Sequence, residues 1–126
     1  MPGTIPFAPE ITIAMHVSDI DRSIAWYTDV LGLSMLYKID EIAWCEFATP
    51  VKGTHIGLSQ VEKAKGSQSC VPTFAVTDID AARKHLEFHD VRFDGDTLTI
   101  EGMVKLATFF DPDGNPLMLS QSLMQQ

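Results

Sequence analysis

The hydrophobic and polar positions along the chain form a pattern that occurs twice. An apolar stretch rich in β-branched residues at 11–17 is followed by Ser18 and Asp19, either of which can cap a helix, and the stretch at 71–76 is followed by the candidate cap Asp78. The motif Val-Ser-Asp-Ile-Asp at 17–21 returns as Val-Thr-Asp-Ile-Asp at 76–80, about half of the 126 residues further on. The chain is therefore predicted to contain two copies of one module.

Each copy reads as a strand, a helix and three further strands. Ile20, Ile24, Tyr27 and Leu31 recur at helical spacing and predict a first helix over 19–31, and a weaker stripe predicts a second over 78–89. The predicted later strands are 34–39, 42–48 and 55–61 in the first copy, and 91–93 continuing near 98–100, 104–110 and 116–120 in the second. We therefore predict the α+β class, with two tandem βαβββ modules forming a curved, cup-shaped sheet. A single domain spans 1–126, with modules at about 9–62 and 69–122 and a linker at 62–69.

Composition and charge exclude several kinds of partner. The chain has 45% hydrophobic residues and 17 acidic against 9 basic side chains, with a net charge of −8. A chain of this size can bury a core without disulfides or a structural metal. Because no basic run is present, neither nucleic acid nor an anionic membrane surface is an expected partner. No apolar run reaches about 18 residues and no signal peptide is recognised, so we expect a soluble cytoplasmic protein with reduced Cys45 and Cys70.

Two runs of sequence are specific enough to compare with a known family. The first is Val-Ser-Asp-Ile-Asp-Arg-Ser-Ile-Ala-Trp-Tyr at 17–27, leading to Val-Leu-Gly-Leu at 30–33, and the second is Asp-Pro-Asp-Gly-Asn-Pro at 111–116. Together they resemble the vicinal oxygen chelate superfamily of glyoxalase I, extradiol dioxygenases, and fosfomycin and bleomycin resistance proteins. The resemblance covers almost the whole chain. It implies the glyoxalase/bleomycin resistance/dioxygenase fold, a small ligand bound in the cup and pairing as a homodimer.

The resemblance also implies where enzymatic members would hold a divalent metal, through one His, Gln or Glu on each of four strands. The corresponding positions in this sequence are Thr12, Gly57, Pro72 and Met118. None of them supplies the imidazole nitrogens or carboxylate oxygens that such an ion needs at about 2.0–2.3 Å. We therefore expect no standard metal site and no cofactor.

Other polar side chains near these positions are candidates for chemistry. Strand alternation places His16 on the face of Thr12, and His55 on the face of Gly57. Together with Glu46 they are the candidate catalytic residues, because an imidazole beside a substrate can transfer a proton. Each also fits a structural role, at the rim of the cup or on a solvated strand face. An aromatic wall is predicted from Tyr37, Trp44, Phe47 and Phe109, and the predicted ligand-binding residues are Thr12, Trp44, Gly57, Ser59, Pro72, Phe109 and Met118.

Three functions remain open at this point. The first is a glyoxalase/bleomycin-resistance-like protein that binds a small organic molecule in the cup without the standard divalent metal, and the missing ligands favour it. The second is a glyoxalase- or dioxygenase-type enzyme, such as a lyase, isomerase or oxygenase, that uses His16, His55 and Glu46 or an atypical metal site. In that case lactoylglutathione-lyase-like or dioxygenase-like chemistry is implied. The third is a regulatory or protein-binding module whose cup is filled by its own side chains.

Overall fold

Two four-stranded sheets, one in each half of the chain, form the fold. The structure, a computed structural model, describes residues 8–66 and 70–124. Sheet A contains β1 (Ile11–Val17), β2 (Ser34–Ile39), β3 (Trp44–Ala48) and β4 (Thr54–Gln60), and sheet B contains β5 (Thr73–Ala75), β6 (Leu98–Ile100), β7 (Val104–Phe110) and β8 (Pro116–Ser122).

The two sheets have the same topology. The strand orders are β1-β4-β3-β2 and β5-β8-β7-β6, and in each sheet the first pair is parallel and the others are antiparallel. The prediction of an α+β fold with two βαβββ modules is confirmed. Residues 67–69, which include the end of the predicted linker and the predicted start of the second module, lie outside the described residues.

One helix follows the first strand of each module. Helix α1 (Ile20–Ala25) continues as a π-helical turn over Trp26–Val30, and helix α2 covers Ile79–Phe88. The side chains of the predicted caps Asp19 and Asp78 accept hydrogen bonds from backbone N–H groups of the first turn, at 3.1 Å and 3.0 Å. Both helices therefore begin where the sequence predicts, because the capping signal is local.

A glutamine from the neighbouring sheet also binds the start of each helix. Gln60 Oε1 accepts from the Ile20 N–H at 2.8 Å, and Gln121 Oε1 accepts from the Ile79 N–H at 2.7 Å. Gln60 is the last residue of β4, and Gln121 lies near the end of β8. The internal repeat therefore includes this long-range contact. That contact was not predicted from the sequence.

Three strand predictions need correction. The third strand begins at Trp44 rather than at residue 42, because residues 40–42 form a 3₁₀ turn and Ala43 has a φ of 50°, in the left-handed region. The strand predicted at 71–76 is restricted to Thr73–Ala75, since Pro72 has no N–H for a sheet ladder. The strand predicted at 91–93 does not form, and Phe93 makes only an isolated bridge.

One face of each sheet packs into a single core shared by both modules. Tyr27 stacks on Phe47 of sheet A with ring centroids 5.5 Å apart, and the adjacent Trp26 is 6.5 Å from Phe109 of sheet B. The first helical segment therefore lies between the two sheets. The other face of each sheet is turned away from this core. The remaining buried strand residues of the core are Met15, Val17, Cys45, Ile56, Leu58, Ala107, Leu117 and Leu119.

The turn at 111–116 joins the two modules through polar contacts, of which the bond between Tyr27 and Asp111 is buried. Asp111 Oδ2 accepts from the Tyr27 hydroxyl at 2.9 Å, and the Asn115 side-chain amide donates to the His16 carbonyl at 2.9 Å. Asp113 Oδ1 accepts from the Ser18 N–H and from Arg22, both at 3.0 Å. This run, which carries part of the resemblance, therefore has a structural role at the module interface.

Burial changes the pKa values of the pair in this turn. Burial raises the pKa of Asp111, although hydrogen bonds from Asn115 and Tyr27 act in the opposite direction. Burial also raises the pKa of Tyr27, and the Asp111 carboxyl adds to that effect. The Tyr27 hydroxyl therefore remains a hydrogen-bond donor at neutral pH.

Candidate functional site

Glu46 lies at the centre of a polar cluster on the face of sheet A that is turned away from the core. Its Oε1 accepts from the Tyr37 hydroxyl at 2.7 Å, and its Oε2 is 2.7 Å from His55 Nδ1 and 3.5 Å from Thr12 Oγ1. Each of the four strands of sheet A contributes one of these residues. The strand register brings them together, because Glu46 pairs with both Tyr37 and Gly57, and Thr12 pairs with His55.

We call this surface the Glu46 face, defined by Thr12, Tyr37, Trp44, Glu46, His55 and Gly57. Although the face is open, Glu46 itself is only 8% exposed, because its neighbours cover it. Burial raises the pKa of Glu46, but its interactions with Tyr37, His55 and Trp44 outweigh burial and leave the pKa below its ordinary value. The carboxylate is therefore ionised at neutral pH.

The ionised carboxylate orients both of its close partners. Its hydrogen bond raises the pKa of Tyr37, so that hydroxyl stays protonated and donates. The short contact to His55 assigns the ring proton to Nδ1, which donates to the carboxylate. Within the described part of the chain, His55 Nε2 makes no hydrogen bond. It is thus available as an acceptor for a molecule bound on this face.

Trp44 covers Gly57, the position at which the resemblance places a metal ligand on the fourth strand. A Cβ on residue 57 would overlap the Cη2 and Cζ2 atoms of the Trp44 indole and would lie 3.2 Å from Thr12 Cγ2. A Glu or Gln side chain at this position would therefore require the indole to move. The space that a metal ligand needs here is filled by an aromatic ring.

The donor set does not fit the divalent metal of the superfamily. Across residues 8–66 and 70–124, no group of three or more His, Cys, Asp or Glu residues lies close enough to hold a metal ion. Thr12 Oγ1 contacts Glu46, and Met118, on the outward face of sheet B, offers only a thioether. The chemistry of the Glu46 face is therefore that of a carboxylate, an imidazole, a phenol and an indole.

The structure gathers most of the predicted site residues but not all of them. Thr12, Trp44, Glu46, His55 and Gly57 lie on the Glu46 face. Ser59 pairs directly with Trp44 in the register of β3 and β4 and lies on the same face. His16 is exposed on this face as well, but its side chain forms no hydrogen bond with the cluster.

Two predicted ligand-binding residues lie on the opposite side of their sheet. Phe109 is fully buried in the shared core, as is Phe47 of the predicted aromatic wall. Pro72 is also buried, whereas the next residue, Thr73, is exposed and pairs with Met118. Pro72 and Phe109 are therefore turned toward the core and not toward the open faces of the sheets, and Pro72 lines a cavity on the core side. Their role in ligand binding stays a prediction.

Sequence reasoning missed the contact between Tyr37 and Glu46. A bulge between Met35 and Tyr37 shifts the pairing of β2 with β3 and places Tyr37 opposite Glu46. Cys45, on the core side of the same strand, is buried, and burial raises its pKa to about 11. It is therefore a core residue and not a nucleophile.

Comparison with known protein families identifies the class of protein to which this fold belongs. Residues 11–119 match the model of the Glyoxalase/Bleomycin resistance protein/Dioxygenase superfamily. The chain belongs to this superfamily. A lactoylglutathione lyase of Oryza sativa subsp. japonica is 29% identical over an alignment of 126 positions, which covers 88% of this chain and 43% of that protein. The chain therefore spans less than half the length of this relative.

Three solved structures show the same fold. A member of the superfamily from Sphaerobacter thermophilus DSM 20745 has a TM-score of 0.81 and 21% identity, covering 94% of this chain and 100% of that chain. An antibiotic-binding protein from Streptomyces sp. CB03234 has a TM-score of 0.77 and 24% identity, covering 94% and 99%. A fosfomycin resistance protein from Listeria monocytogenes has a TM-score of 0.75 and 14% identity, covering 97% and 95%. In the described residues, no helix is long and apolar enough to cross a membrane.

Proposed function

We propose that this chain binds a small organic molecule on the Glu46 face, without the standard divalent metal of the superfamily. The observation that carries the proposal is the Trp44 indole over Gly57, which puts an aromatic surface where a metal ligand would be needed. The likeness to an antibiotic-binding protein and to a fosfomycin resistance protein supports small-molecule binding as the type of function.

The groups on the Glu46 face favour one kind of ligand. The rings of Trp44 and Tyr37 are partly exposed and offer surfaces on which a flat ring can stack. The Glu46 carboxylate is covered by its partners, so His55 Nε2 is the acceptor that this cluster presents, and it selects a ligand that carries a donor. We expect a flat, mainly apolar molecule with a hydroxyl or amino group, because ligand sites are mostly apolar with a few placed polar groups.

A homodimer that completes the cup is part of this proposal. Apolar side chains are exposed on the outward faces of both sheets: Tyr37 is 44% and Ile39 37% exposed on sheet A, and Leu98 is 58% and Ile100 41% exposed on sheet B. If sheet A of one copy contacted sheet B of its partner, each chain would use the outward faces of both of its sheets. Such an arrangement closes around a two-fold axis and covers these apolar surfaces. A cytoplasmic location also stays a prediction.

The His55 and Glu46 pair favours a second candidate, a proton-transferring enzyme of the glyoxalase type. A carboxylate that holds Nδ1–H leaves Nε2 as the basic nitrogen, which would accept a proton from a substrate bound beside it. The 29% identity to a lactoylglutathione lyase supports this alternative. His16 has no part in it, since its side chain lies outside the hydrogen-bonded cluster.

Ligand binding in the presence of a chelator tests the proposal. We would record thermal unfolding with a panel of planar phenols and aminoaromatic compounds in EDTA, and measure affinities of the hits by calorimetry. We expect Trp44→Ala and His55→Ala to weaken binding about tenfold or more, a loss of about 1.4 kcal/mol, while His16→Ala leaves it unchanged. Binding that appears only after a divalent metal is added would contradict the proposal. Conversion of a bound compound by the wild type, lost in His55→Ala, would establish the enzyme instead.

A further inference from the structure

An apolar cavity lies between the two modules, on the core side of sheet A. Its volume is about 480 Å³. Buried Leu33 and Ile56 of the first module and buried Leu86 and Leu119 of the second line its interior. Ile56 and Gly57 are successive residues of β4, so their side chains point to opposite faces of the sheet. The cavity is therefore separate from the Glu46 face.

The cavity opens to solvent at one side. The exposed residues Pro50 and Val51, in the loop between β3 and β4, and Thr73 of β5 lie at this opening. The end of α1 and its π-helical turn contribute Val30 to the wall, and α2 contributes Ala82. A molecule could enter here without unfolding either sheet, and it would contact both modules at once.

Three of the four polar side chains on the walls already have hydrogen-bond partners, and the fourth is the neutral hydroxyl of Thr54. The Thr49 hydroxyl donates to the Thr54 carbonyl at 2.7 Å, and the Thr73 hydroxyl donates to the Val71 carbonyl at 3.1 Å. His85 Nε2 lies 3.0 Å from the Val30 carbonyl and donates to it. The wall therefore presents mainly hydrocarbon surface, and a charged occupant would lose its hydration without gaining a partner.

We propose that this cavity is a second ligand site, which takes an uncharged, mainly hydrocarbon molecule. Its volume falls in the range of about 300–1,000 Å³ that is usual for small-molecule sites. The interior is enclosed by side chains of both modules, which suits a small molecule better than a folded segment of a second chain. Because the occupant touches both modules, it raises the melting temperature of the chain as a whole. The site does not depend on the ligand proposed for the Glu46 face.

The neutral hydrocarbon fluorophore 1,6-diphenyl-1,3,5-hexatriene is a suitable probe, since its emission rises in an apolar environment and it carries no hydrogen-bond donor of the kind expected in a ligand of the Glu46 face. Two neighbouring alanines of α2 provide a matched pair of variants. Ala82 is half-buried and lines the cavity, whereas Ala81 is exposed and does not. We expect the wild type and Ala81→Phe to bind the probe equally, and Ala82→Phe to bind it at least tenfold more weakly. Ala82→Leu, which fills less of the cavity and suits a helix, is the second filling variant and should give a smaller loss in the same direction.

The outcomes separate this site from the Glu46 face and from a contact between chains. Glu46→Gln should bind the probe like the wild type, whatever it does to ligands of the Glu46 face. The proposal is overturned if the wild type does not bind the probe, or if the two filling variants bind it as Ala81→Phe does. It is also overturned if Ala82→Phe changes the mass measured by light scattering and leaves probe binding intact, because the cavity would then be a contact between copies of the chain.

Discussion

The indole ring of Trp44 covers the α-carbon of Gly57 on the neighbouring strand, and no Cβ fits at residue 57 while the ring is in place. The two residues are on adjacent strands, with Gly57 opposite Glu46 and Trp44 opposite Ser59. Glycine is thus required at residue 57 by the tryptophan beside it. A position that would carry a metal ligand in enzymatic relatives becomes part of an aromatic surface next to an ionised carboxylate.

This contact predicts what happens when Gly57 is replaced by a residue type that can bind a metal. Gly57→Glu should lower the free energy of unfolding by about 1–3 kcal/mol, because the new side chain overpacks against the indole. Trp44→Ala in the same chain should remove most of that loss. Urea unfolding of the wild type, both single variants and the double variant gives the coupling energy. If the losses in the two single variants simply add in the double variant, the two residues are not in contact.

The ionised Glu46 predicts a pH-dependent contribution to stability. Glu46→Gln should cost about 1–3 kcal/mol near neutral pH, because Tyr37 and His55 lose a charged acceptor. Since the pKa of Glu46 is lowered in the folded chain, its contribution is present above the unfolded pKa of about 4.3 and is lost as the pH falls through the folded value.

The difference between the wild type and Glu46→Gln should therefore shrink as the pH is lowered from about 7 to about 3. Denaturant unfolding at a series of pH values measures it. A difference that stays constant, or grows, toward low pH would show that the Glu46 charge does not stabilise the fold.

The hydrogen bond between Tyr27 and Asp111 is buried between the two modules, so removing the Tyr27 hydroxyl should lower the stability of the fold. Tyr27→Phe should lower the free energy of unfolding by about 1–3 kcal/mol, because the buried Asp111 carboxyl loses one of its donors and keeps only those of Asn115 and Asp113. Tyr37→Phe is the matched control, since its hydroxyl lies on the open Glu46 face, and we expect a smaller loss there because water can replace the lost hydrogen bond. Chemical denaturation of both variants tests this order, and the reverse order would contradict it.

The exposed apolar faces predict how a homodimer would be disrupted. Ile39→Glu on sheet A and Leu98→Glu on sheet B should each convert a dimer to a monomer, because a charge would be buried in the contact. Phe88→Glu is the control, since Phe88 is a large apolar residue that is even more exposed, at 84%, and lies at the end of α2, away from both faces. Size-exclusion chromatography with light scattering gives the masses. A monomeric wild type would contradict the proposed pairing.

Local signals predicted most of the fold. The strand predicted at 34–39 is observed as Ser34–Ile39, and both helices begin after the predicted caps Asp19 and Asp78. These features depend on strand alternation and on capping within a few residues. Where the backbone leaves regular geometry, as at Ala43 with its left-handed conformation, the sequence predicted a strand that begins too early.

The candidate site was harder to predict because it depends on contacts between strands. Glu46 and His55 were recognised as candidates, but their hydrogen bond follows from the register of β3 with β4. The position of Tyr37 opposite Glu46 depends on a bulge in β2, and the sequence around the bulge does not indicate it clearly. Pro72 was named as a candidate because of its position in the resemblance, and the structure buries it just before β5, where it lines a cavity on the core side.

The central claim is that the Glu46 face binds its ligand without a divalent metal. Measuring the metal content of the protein tests this claim most directly. Elemental analysis of freshly purified protein should be combined with melting temperatures recorded before and after addition of zinc, nickel, iron and manganese. We predict metal far below stoichiometric amounts and a melting temperature that does not change, because Thr12, Trp44 and Gly57 leave neither donors nor space for the ion. Stoichiometric metal, with a melting temperature that falls on chelation and recovers on its return, would contradict the claim.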